Sequence, residues 1–172
     1  MSKYKLTKDR LFVYICCLYL VGIFFGIFLF RKNNYELNFA ESNFFKMFCA
    51  NYWYLFLMWL FGFSAIGLFF NSFIIFFRGF LLGALITVLV RLNLKETAIM
   101  LALEIIVFIP VFFTLSYFSL TAARRQLYNF FSPLPSKLNN KVYLNIMILV
   151  TIAIVIYCLI IVIYPEFATW II

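Results

Sequence analysis

Arg78 and Glu104 are the charged residues that stand well inside long apolar runs of this chain. A charge at the centre of a bilayer costs about 2.5–3.5 kcal/mol by insertion scales, so an intramembrane charge is a functional candidate by default. Three readings are open for this pair. The two side chains can form an ion pair between neighbouring spans, Arg78 can snorkel along its long stem to the nearer interface, or the charges can meet a substrate or ion. Counting inward from Ser72 and from Thr97, their Cα levels differ by ~10 Å across a ~30 Å core. An arginine side chain covers much of that gap, so depth alone does not choose.

Other reactive constellations fail on inspection. The chain has no His, which removes the commonest general base and metal ligand together. Cys16, Cys17, Cys49 and Cys158 show no CxxC spacing, so they read as small hydrophobes rather than as a zinc or redox motif. Asp9 is the only Asp, which rules out a paired-aspartate intramembrane protease. Glu104 alone cannot supply both acid and base. The expectation is a protein without catalytic site, metal or cofactor.

Composition names the solvent in which these residues work. The 172 residues are 67% hydrophobic and 12% charged, with mean hydropathy +1.07, whereas about a quarter charged is usual for a soluble domain. Twenty-five Phe residues point the same way, to lipid. The net charge of +8 marks cytoplasmic flanks facing anionic lipid, and no basic run interleaved with stackable aromatics suggests nucleic acid.

The pattern predicts an all-α polytopic bundle in a single membrane domain, with spans at about 11–30, 51–70, 72–90, 97–122 and 142–164. The first follows a basic segment but is too long for a typical signal core, and Arg31-Lys32 follow it without a small-residue cleavage pattern. Residues 51–90 hold two spans only if a tight hairpin falls near Asn71-Ser72; a broken or re-entrant helix is the alternative. Pro110 predicts a kink in the fourth span. Lys3, Lys5, Lys8, Arg10, Arg124, Arg125, Lys137 and Lys141 outweigh Arg31, Lys32, Lys46, Arg91 and Lys95, which places the N-terminus and the basic Arg124–Lys141 loop in the cytoplasm.

All six Gly fall within the expected spans. Gly22 and Gly26 form one GxxxG, Gly79 and Gly83 another, and Gly62 with Ser64, Ala65 and Gly67 makes a further small-residue surface. Small residues one turn apart let helix backbones approach closely in lipid. They serve either packing within this bundle or docking of a partner's transmembrane helix; a homo-oligomer is left open.

Trp59, Gly62, Ser64 and Gly67, then Arg78-Gly79-Phe80 with Gly83, resemble the central signature of the stage II sporulation protein M family. The Gly22-Ile23-Phe24-Phe25-Gly26 stretch looks like that family's first span, and Pro110, Ser119-Leu120, Arg124-Arg125 and Tyr164-Pro165 follow in family order. The resemblance implies a non-enzymatic scaffold in the bacterial cytoplasmic membrane, organising wall hydrolases during sporulation or wall remodelling. Related members implied by the same resemblance serve circular-bacteriocin maturation, export and immunity, beside an ATPase and a hydrophobic peptide.

Overall fold

The computed structural model describes residues 2–31, 44–92, 101–131 and 140–170. Five helices account for nearly all of them: α1 Ser2–Phe30, α2 Phe44–Phe61, α3 Gly67–Leu92, α4 Ile109–Phe131 and α5 Asn140–Trp170. Residues 101–103 are also helical, and a π turn, Glu104–Phe108, joins them to α4. No strand occurs among the described residues. Arg10–Phe30, Gly67–Thr87, Leu101–Phe131 and Lys141–Ile161 are each long and apolar enough to cross a membrane, and α2 adds a shorter apolar stretch, Phe48–Phe61. The chain is thus an all-α, multi-pass bundle.

Contacts between helices fix their directions. Phe61 packs on Phe70 and Tyr54 on Phe77, with ring centroids 4.7 and 6.2 Å apart, so α2 and α3 form an antiparallel hairpin. Tyr14 of α1 donates to Ser72 Oγ at 2.9 Å, and Gly22 and Gly26 lie successively higher against Phe76, Phe80 and Ala84; α1 therefore runs parallel to α3. Asn71 meets Ser119 and Arg78 meets Glu104, which sets α4 antiparallel to α3. Helix α5 reverses again, with Tyr157 against Phe108 and Tyr143 against Trp59. Helices α1, α3 and α5 run one way, α2 and α4 the other. Ile15, Leu55, Met58, Ile75, Phe108 and Phe112 are fully buried where they converge.

The expected hairpin exists, but its position differs from the one read near Asn71-Ser72. The turn is Gly62–Ile66, and Asn71 and Ser72 lie inside α3. Two polar residues do not break this helix because each finds a partner: Asn71 Nδ2 donates to Ser119 Oγ at 2.6 Å, and Ser72 Oγ donates to Leu68 O at 2.8 Å. The helices that hold the spans expected at 51–70 and 72–90 run over Phe44–Phe61 and Gly67–Leu92.

The turn satisfies its own backbone. Gly62 N donates to Met58 O and Trp59 O, Phe63 N to Leu60 O, Ser64 N to Phe61 O, and Gly67 N to Ser64 O, at 3.0–3.2 Å. Side chains from other helices complete the end of α2, where four carbonyls lose their helical partners. Ser119 Oγ donates to Met58 O at 2.5 Å, and Tyr143 Oη to Trp59 O at 2.7 Å. Gly62 opens this turn and Gly67 follows it at the start of α3. A Cβ on Gly62 would strike the Tyr143 hydroxyl, and one on Gly67 would strike Phe61 O.

Candidate functional site

The buried charges are brought together by α3, the π turn and α5. Arg78 Nη2 donates to Glu104 Oε1 at 2.6 Å, with side chains only 13% and 6% exposed. Tyr157 Oη donates to the other carboxylate oxygen, Oε2. The Arg78 guanidinium also lies 4.1 Å from the centroid of the Phe108 ring, where the ring's negative face attracts it. The earlier depth difference came from starting the third span at Ser72. Beginning α3 at Gly67 instead moves Arg78 ~8 Å further into the membrane, which closes most of the gap.

Glu104 owes its placement to Pro110. A proline nitrogen cannot donate to Ile106 O, and its ring clashes with that carbonyl in a regular α-helix. The chain widens ahead of it, so that Ile109 N–H reaches back to Glu104 O. Where a kink was expected, the structure has a π turn just ahead of Pro110, a feature that often accompanies functional positions. Glu104 and Phe108 at its two ends face the core, while Ile105 and Ile106 remain exposed.

Tyr19 of α1 completes the surroundings. Its ring packs on Phe112 and Phe113, with centroids 5.9 and 5.2 Å away. The Tyr19 hydroxyl and Arg78 Nε are buried and find no hydrogen-bond partner among the described residues. Chemically the cluster cancels one buried charge with another and ties α3, α4 and α5 by donors that can reach only one carboxylate. No group of three potential metal ligands occurs among the described residues.

The two GxxxG motifs face each other across α1 and α3. A Cβ added to Gly22 would meet Phe76 O, one on Gly26 would meet Phe80 O, one on Gly79 Tyr19 O, and one on Gly83 Ile23 O. These glycines are spent on backbone-to-backbone contact inside the bundle. Phe80 flanks the seam and packs on Phe25 and Phe30 at 6.2 and 5.8 Å. Trp59 lies flat against Tyr143 at 5.8 Å, and its Nε1 donates to Tyr143 O at 3.4 Å. Arg124, Arg125 and Lys141 are exposed; Lys137 lies outside the described residues.

Sequence reading did not single out Tyr157, Tyr19 or the Asn71–Ser119 pair. One signal was present: a phenol in mid-span needs a partner for its hydroxyl once buried, and Tyr157 stands in the middle of an apolar run.

A bundle of this kind, with its charges and glycines turned inward, defines a multi-pass membrane protein built on close helix packing. The family model described as Stage II sporulation protein M matches residues 15–165, and the chain belongs to that family. Neither a curated protein nor a solved structure matches it.

Proposed function

We propose that this chain is a non-enzymatic platform of the bacterial cytoplasmic membrane, organising other membrane proteins of a sporulation or wall-remodelling complex. The observation that supports this reading is the division of labour between inside and outside. Arg78, Glu104, Gly22, Gly26, Gly79 and Gly83 are consumed by contacts within the bundle, which leaves partner recognition to the outer apolar surface. On α1 that surface carries Phe24 and Phe28, 70% and 75% exposed and one turn apart, on the side opposite the glycine seam. One guanidinium and a single carboxylate supply no acid–base pair, so the reading contains no catalytic step.

The test is photo-crosslinking from positions 24 and 28 in the native host membrane, with co-purification of the Phe24→Ala/Phe28→Ala variant alongside. Crosslinks to membrane proteins, and their loss from the purified variant at unchanged thermal stability, are the expected outcome. Crosslinks to lipid alone, with an unchanged set of co-purifying proteins, would overturn the reading.

A further inference from the structure

A groove of about 700 Å³ opens on the outer surface between α1 and α4. Both helices pack on α3 and touch each other through Phe12 and Tyr19 against Phe112 and Phe113. Phe12, Pro110, Phe113, Thr114, Tyr117 and Phe118 line the opening. Its one aliphatic hydroxyl is already committed, because Thr114 Oγ1 donates to Pro110 O at 2.7 Å. The groove therefore offers hydrocarbon and ring surface to its occupant.

The stripe that forms the α4 wall continues beyond the groove to a cation. Pro110, Tyr117 and Arg124 are spaced at i, i+7 and i+14, on one face of the helix, and Arg124 is exposed. The same end of the bundle holds the start of α1, with Arg10 exposed. Hydrogen bonds confirm the common level. Tyr14 and Asn71 reach Ser72 and Ser119, and from Tyr14 to Arg10 and from Ser119 to Arg124 the chain descends a similar ~6–8 Å.

The dimensions match one leaflet. Pro110 to Phe118 spans ~12 Å, within the ~15 Å of hydrocarbon in half a bilayer, and Pro110 to Arg124 spans ~21 Å, the half-thickness including headgroups. We infer that this groove binds a single anionic phospholipid, with an acyl chain along Phe113, Thr114 and Phe118 and the phosphate at Arg124. The exposed cation at the end of the stripe matches a lipid phosphate, which a purely apolar partner helix does not supply.

The experiment is native mass spectrometry of the delipidated full chain in detergent, titrated separately with phosphatidylglycerol and phosphatidylcholine of identical acyl chains. One phosphatidylglycerol should be retained in preference to phosphatidylcholine. Arg124→Gln should lower phosphatidylglycerol occupancy about fivefold, the effect of roughly one interfacial cation, and leave phosphatidylcholine unchanged. Thr114→Trp, which fills the groove from an exposed position, should lower both. Equal retention of the two lipids by the unaltered chain would overturn the inference without recourse to any variant. So would a dimer that Thr114→Trp dissociates, because the groove would then be an interface between copies.

Discussion

Glu104 receives two donors from two other helices, Arg78 on α3 and Tyr157 on α5. Removing one member of a buried ion pair strands the other, at a cost of about 3–5 kcal/mol, whereas replacing both by apolar residues of similar volume is close to neutral. Glu104→Leu should therefore destabilise strongly, and Arg78→Met/Glu104→Leu should recover most of the loss. Reversible unfolding of the two variants in detergent or bicelles checks this; a double variant as unstable as the sum of the single ones would show that the residues act independently. Tyr157→Phe should cost about 1.5–3 kcal/mol, the net worth of one hydrogen bond to a charged group, since the ion pair persists. The pair was legible as a candidate because charges in apolar runs are conspicuous. Tyr157 was not, because a phenol is common at membrane interfaces and its depth depends on where α5 begins.

At the scale of elements, the α1–α3 seam and the end of α2 carry separate predictions. Gly79→Leu places a branched side chain against the Tyr19 backbone, and should destabilise by at least about 1–3 kcal/mol or separate α1 from α3. Val21→Leu, at an exposed position on the facing helix α1, should stay within about 0.5 kcal/mol. Thermal unfolding of both distinguishes a packing seam from a general sensitivity of α1. Ser119→Ala leaves the buried Asn71 amide without its acceptor and removes a donor to Met58 O, so a loss of about 1–3 kcal/mol is expected in the same assay. The GxxxG spacing was visible along the chain. Which motif faces which was not, because every GxxxG offers the same flat surface and only the register of the bundle selects its partner.

For the whole molecule, alternating directions from α1 to α5 put the two ends of the chain on opposite sides of the bundle. Reporter fusions that are active on only one side of the membrane should therefore give opposite signals at the N- and C-termini, with the N-terminus cytoplasmic by its lysines and arginine. Like signals at both ends would require an even number of crossings, as if one of the five helices did not cross. The short apolar stretch of α2, Phe48–Phe61, makes this the informative measurement.

The sequence by itself determined the solvent, the helical class and the approximate places of the spans. Hydropathy and length act locally along the chain, and lipid permits few alternatives to a helix. It also marked Arg78, Glu104 and Pro110 as exceptional. Only the tertiary structure decided that the turn falls at Gly62–Ile66 rather than at Asn71-Ser72, because Asn71 is sheltered inside α3 by a hydroxyl 48 residues away. It likewise decided that Arg78 meets Glu104 rather than the interface. Start positions of two helices and a π turn set that meeting, and those depend on contacts that no spacing along one strand of chain records.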